Sequence, residues 1–472
     1  MAASSLHATP YSGTWYPNDP EELSALLDEL WRKSEARTGE YVLAGGRAFV
    51  VPHAGLVYSG TVAAAAYRHV ERLQPERILL AGFAHRGAPR GIWIPEIEGF
   101  ETPLGTVAVD RELADEFAAT EPFGTLPESR LCDHSVEIQL PLLQKAAPGA
   151  RVVPLYVSEL DASARGKAAR VLAGCMTPAT VMLASSDLTH FGRDFGFQPF
   201  PVDALVADRL RRLDYEVIES AGSLREQLFL ETLRETSATV CGSEPIALLL
   251  ATLQRVEQDG EIFQETLDYQ TSGEIVGDYH SSVSYGALGF FPHSAFELDP
   301  LEQRAALDLA RRTLADYQAT GARGAPAGAS PLQRRSGLFV TLHKDGQLRG
   351  CIGRASSDEP LQRALPELTL AAALEDGRFR PVSASETGLE IEISILSPMK
   401  RLAQRGDFRV NQHGAVLKAN GRQGLLLPQV ATERNWGADQ FFQALATKTG
   451  VGAKVYSDPA TRIFAFRAQI IH

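Results

Sequence analysis

The chain has 472 residues, which at about 150 residues per domain means two large domains or three smaller ones and excludes a small disulfide-held scaffold. Hydrophobic residues make up 44% and charged residues 22%, a globular composition that excludes the disordered and fibrous classes. The net charge of −12 is uneven: residues 1–296 carry 23 Lys and Arg against 40 Asp and Glu, while 297–472 carry 23 against 18. The first part is therefore −17 and the second +5. An acidic first part without a Lys/Arg run argues against nucleic acid as a partner, since a phosphate backbone needs a basic footprint. The mildly basic second part allows an anionic ligand, or docking on the first through opposite charge.

In chain order, Gly13-Thr14-Trp15-Tyr16-Pro17 precedes a helical stretch from Pro20 to about Arg37. The first twenty residues lack a basic and apolar leader pattern, and no apolar run approaches the roughly 18 residues that span a bilayer, so neither export nor a membrane is expected. Apolar runs follow at Ala48–Val51, Ile78–Ala81, Val152–Val157 and Val181–Ala184, separated by helical segments such as Thr61–Leu73 and Ala162–Ala173. Uniformly apolar short runs between helices predict buried strands of a wound, largely parallel α/β sheet.

The pattern lapses from Phe291 to Pro300, and Leu301–Tyr317 reads as a fresh amphipathic helix, which puts a domain boundary between residues 296 and 297. A Gly/Ala/Pro stretch from Thr320 to Pro331 predicts a mobile loop. Beyond it, alternating runs at Leu338–Leu342 and Leu389–Leu396 predict half-buried strands of a smaller α+β domain.

Histidines fall just past the first-domain strands. His53 follows the run ending at Val51, His85 follows Ile78–Ala84, and Asp187 and His190 follow Val181–Ala184. Ligands of open parallel sheets bind beyond the carboxyl ends of the strands, so these positions predict one shared cleft. His134 and Glu137 sit three apart at a helix start, hence on one face. Cys241 precedes a helix, whose N-terminus is expected to lower its thiol pKa. Two imidazoles and one anionic donor on an open cleft are the grouping of non-haem iron(II) oxygenases, and with sulfur as the third donor copper or zinc also fits. Cys132, Cys175, Cys241 and Cys351 include no CxxC pair, which suits a reducing cytoplasm.

The segments Pro52-His53-Ala54-Gly55, Gly82-Phe83-Ala84-His85, Asp133-His134-Ser135-Val136-Glu137, Ser185-Ser186-Asp187-Leu188-Thr189-His190, Cys241-Gly242 and Ser281-Ser282-Val283-Ser284-Tyr285 come in an order that resembles the Memo family. The resemblance covers residues 8–292. It implies a fold similar to class III extradiol dioxygenases and an iron or copper site formed by His53, His85 and Cys241, with Asp187, His190 and His134 lining the cleft. The chain departs from the family pattern with Arg86 where a second His often follows, and with Leu56 where an aromatic follows His-Ala-Gly. A thiol also stands where extradiol enzymes have a carboxylate.

Residues 297–472 resemble the AMMECR family through Leu348-Arg349-Gly350-Cys351-Ile352-Gly353, with Asp376-Gly377-Arg378-Phe379 and Leu427-Pro428-Gln429-Val430 in support. Arg380 stands where that family usually has a proline. Cys351, between glycines on a tight strand end beside Arg349, is a candidate nucleophile or a small buried side chain. Both resemblances together imply components of the AmmeMemoRadiSam system, hence a radical S-adenosylmethionine protein as partner.

The first functional reading is a metal-dependent, oxygenase-like enzyme acting on a small molecule or peptide, aromatic or catechol-like. Here His190 or His134 is the general acid/base, and Asp187 or Glu137 orients an imidazole. The second is a non-catalytic metal-binding or protein-interaction scaffold. The third is a metal-free redox switch at Cys241.

Overall fold

The computed structural model describes residues 6–257, 260–321, 323 and 331–472, which fall in two compact units, Met1–Ala295 and Phe296–His472. The expected loop over 320–331 lies mostly outside the described residues, while Thr320 itself ends a helix.

The first unit is built on a nine-stranded sheet. Four parallel strands form its centre, in the order Ala48–Val51, Thr180–Ser185, Arg77–Phe83 and Arg151–Val157. All four positions of Ala48–Val51 and all six of Thr180–Ser185 are buried, because helices such as Leu56–Leu73 and Ser243–Val256 cover the sheet. Apolar runs without alternation are what two covered faces require.

The edges differ from a largely parallel sheet. A long antiparallel pair, Ile262–Thr271 and Ser281–Pro292, joins beside Ala48–Val51. On the other side Ile92–Pro95 runs antiparallel to Arg151–Val157. The strand Ile262–Thr271 is mostly half-buried and polar, so it lacks the apolar run by which the central strands are recognised.

Asp19 caps the helix Pro20–Thr38 by accepting from the Glu21 and Glu22 N–H groups at 2.9 and 3.0 Å. Asp161 caps Ala162–Gly174 in the same way.

The second unit holds two four-stranded sheets whose pairings are all antiparallel. The helices Pro300–Thr320 and Leu361–Leu374 share a core with one sheet through Ala306, Ala310, Leu338, Val340, Leu365 and Ile393. The other sheet packs Ala415 and Leu417 against Phe441, Phe442 and Leu445 of the helix Ala438–Thr449. Among the described residues no helix is long and apolar enough to cross a membrane.

Candidate metal centre

The central strands run in one direction, so their carboxyl ends open on one side of the sheet and place His53, His85 and Asp187 there. Cys241 arrives from the loop before Ser243–Val256. Gly242 makes that approach possible: its N–H donates to Ser186 Oγ at 2.9 Å, and a Cβ there would lie 2.7 Å from the Ser185 carbonyl oxygen. One ligand atom each from His53, His85 and Cys241 lies within 4.8 Å of the others. Cys241 Sγ is 3.0 Å from His53 Nε2.

Neutral groups position His53. Its Nδ1 is 3.1 Å from Ser185 Oγ, which also accepts from Gln139 Nε2 at 3.0 Å. Gln139 further donates to the Pro52 carbonyl at 2.9 Å and accepts from Tyr67 Oη at 2.9 Å. In the tautomer that frees Nε2 for a metal, Nδ1–H donates to Ser185, an outer contact that fixes the ring. The His53 N–H donates to Asp187 Oδ1 at 2.8 Å. His85 is oriented by Asp133, which accepts its N–H at 3.0 Å and lies 3.6 Å from Nδ1. Asp133 is held in turn by Ser135 N–H at 2.8 Å and Ser135 Oγ at 2.6 Å.

His134 joins this cluster, its ring 4.4 Å from His85 and 5.1 Å from His53. Trp15, from the N-terminal motif, closes over it at 5.0 Å. His190 Nδ1 lies 3.2 Å from the Leu188 carbonyl and 3.1 Å from that of Thr239. Two acceptors require Nδ1 to carry hydrogen, which leaves Nε2 as the nitrogen available to a substrate.

Several residues stand differently from their sequence-based expectation. Among the described residues, the groups that hold the His190 ring are two carbonyls rather than a carboxylate. Asp187 meets the backbone of His53 rather than an imidazole, and Glu137 parts from His134 to lie 3.3 Å from His7. The helix start does not lower the Cys241 thiol, because burial and then the nearby Asp187 push it up to about 12. Cys351 lies within the strand Gln347–Arg354, opposite Thr341, and not at its end. Arg349 is engaged by Glu386 at 2.8 and 2.9 Å rather than by the thiol, which burial raises.

Burial holds His53 well below the usual histidine range and His134 down to about 4, the neighbouring imidazoles adding to the effect. Neutral imidazoles and a thiol are the donor chemistry that iron, copper or zinc takes, so the residues fit such an ion. Asp187, raised to about 6 by burial, adds a carboxyl that changes charge near neutrality. Sequence reasoning passed over Ser185, Gln139, Asp133 and Thr239 as positioning groups. Ser185 ends a strand, Asp133 caps a helical turn, and Gln139 and Thr239 lie beside helices, positions where polar residues are common and carry no signal of their own.

A family model for Memo-like protein matches residues 8–289, and one for AMMECR1 matches residues 307–471. The memo-1 homolog of Caenorhabditis elegans is 28% identical over 291 residues, 60% of this chain and 82% of that protein. A MEMO1 family protein of Methanopyrus kandleri is 32% identical over 294 residues, 59% of this chain and 96% of that protein. Among solved structures, an uncharacterized protein of Pyrococcus horikoshii is 30% identical, covering 36% of this chain and 90% of that one at a TM-score of 0.35. With more than half its residues matched over 8–289, the chain belongs to the Memo-like protein family and carries an AMMECR1 region behind the Memo part.

Proposed function

We propose that the Memo part is a metal-dependent enzyme of oxygenase type, with iron(II) bound by His53, His85 and Cys241, and copper or zinc as alternatives. The observation that carries this reading is the convergence of two imidazoles and a thiol within 4.8 Å just past the strand ends. Such an ion supplies Lewis acidity and, as iron or copper, a place for oxygen and substrate to meet. The chain's own residues do the rest. His190, with Nε2 free, takes a proton from a substrate hydroxyl, and His134, neutral at physiological pH, serves the other side of the cleft. Trp15, tilted over His134, and Tyr11, edge-on to it, suit an aromatic, catechol-like substrate, small molecule or peptide side chain. Arg86, beside Tyr11, supplies a cation for an anionic ring oxygen.

A radical S-adenosylmethionine protein is the partner we propose, supported by the joining of Memo and AMMECR1 regions in one chain. The four free cysteines suit a reducing cytoplasm.

The test is metal content after anaerobic purification and loading with Fe(II), Cu(I) or Zn(II). One equivalent is expected at this centre, lost in His53→Ala and Cys241→Ser, with oxygen uptake on a catechol and phenol panel. No metal retained at all would overturn the reading. Metal bound with no oxygen uptake on any substrate would favour a non-catalytic metal-binding scaffold.

A further inference from the structure

His7 lies on the strand Leu6–Ala8, in parallel register with Phe100 of Gly99–Thr102, and its ring meets Phe100 edge-on at 5.8 Å. It faces Cys132, in the turn after the short helix Glu128–Leu131, and Glu137, at the end of the helical turn His134–Glu137. One ligand atom from each of His7, Cys132 and Glu137 lies within 4.8 Å of the other two. None of these residues belongs to the His53, His85 and Cys241 set.

Glu137 is 0% exposed, and neither of its carboxylate oxygens has a hydrogen-bond partner. Its nearest charge partner is His7, whose Nε2 stands 3.3 Å from Oε1. Cys132 is 1% exposed beside it. A carboxylate removed from water normally accepts several hydrogen bonds, and one ion pair leaves most of its lone pairs unmet. A cation would meet them.

We propose that His7, Cys132 and Glu137 form a second metal site, for a divalent ion of the zinc class. Nitrogen, sulfur and oxygen donors are together what zinc accepts, whereas calcium and magnesium take oxygen alone. Three protein donors leave one position of a tetrahedron for water or a further group. Thiolate and carboxylate balance the two positive charges, and neutral imidazole adds none, so the buried complex carries no net charge. Binding releases the thiol proton to solvent and takes His7 in its neutral form. The far side of the His7 ring is already fitted out: Nδ1 lies 3.2 Å from Glu128 Oε2, the outer carboxylate that fixes a ligating histidine.

The site also has a consequence for the first centre. Asp133 and His134 lie between Cys132 and Glu137 in the chain, so an ion here would clamp the turn that orients His85 and lines the cleft.

The test uses the full chain carrying His53→Ala and Cys241→Ser, titrated anaerobically with Co(II) as a spectroscopic stand-in for zinc. One equivalent is expected to remain, with thiolate-to-cobalt charge-transfer absorption. Adding Cys132→Ser should abolish that absorption, and adding His7→Gln instead should weaken binding at least about tenfold. No bound cobalt in the parent double variant overturns the second site. So does charge-transfer absorption undiminished by Cys132→Ser, or unchanged affinity in His7→Gln. His7→Gln alters a partly exposed edge strand, so it keeps the test decisive where Cys132→Ser fails to fold. Metal lost from the wild type on Cys241→Ser alone bears on the first centre only.

Discussion

Ser185 and Gln139 are uncharged, fully buried, and decide which nitrogen of His53 faces the thiol. Removing such an outer contact typically costs about 10–100-fold in metal affinity. Ser185→Ala is therefore expected to weaken iron or zinc binding at the first centre by that range while leaving the fold intact, as read by metal titration beside a thermal melt. His69 makes a different prediction, about stability. It is buried between Phe49 and Phe291, its Nδ1 3.1 Å from the Leu43 carbonyl, and burial pushes its pKa down from 6.5 to about 4. The folded chain keeps it neutral where the unfolded chain protonates it. Its contribution is thus fully present above the unfolded value of 6.5 and lost as pH falls towards 4, about 3 kcal/mol at roughly 1.4 kcal/mol per pH unit. The stability gap between wild type and His69→Leu should narrow by about that amount from pH 7 to 4. A gap independent of pH would contradict the assignment.

At the scale of elements, the centre depends on a junction as much as on strands. The loop into Ser243–Val256 reaches the sheet only because Gly242 has no side chain: a Cβ would meet Ser186 Cβ at 2.5 Å and the Ser185 carbonyl oxygen at 2.7 Å. Both belong to the rigid strand end, so the loop must move. Gly242→Ala is expected to displace Cys241 and lower metal affinity by more than tenfold, with a stability loss of about 1–3 kcal/mol from overpacking. Metal titration with denaturant unfolding separates the two effects, and unchanged affinity would show that the loop has slack. The strands themselves were readable as apolar runs because both faces are covered. The edge strand Ile262–Thr271 was not, since its half-buried, polar positions leave no uniform run to recognise, whereas its partner Ser281–Pro292 is buried over most of its length.

For the whole molecule, relatives such as the Methanopyrus kandleri protein consist almost entirely of the Memo part, so that part exists without an AMMECR1 region. Its counterpart here carries −17 and the remainder +5.

By itself the sequence determined the fold class and the family, because apolar runs without alternation can be buried on both faces only between helix layers, and because the motifs keep their order along the chain. It also put His53 and His85 just beyond parallel strands, whose common direction leaves few places for them to go. Tertiary structure alone decided the partners. Glu137 meets His7 across 130 residues of chain, His190 is held by carbonyls, and Cys241 sits deep enough that burial outweighs the helix start. Contacts between distant segments, and the water they exclude, leave no local pattern in a sequence.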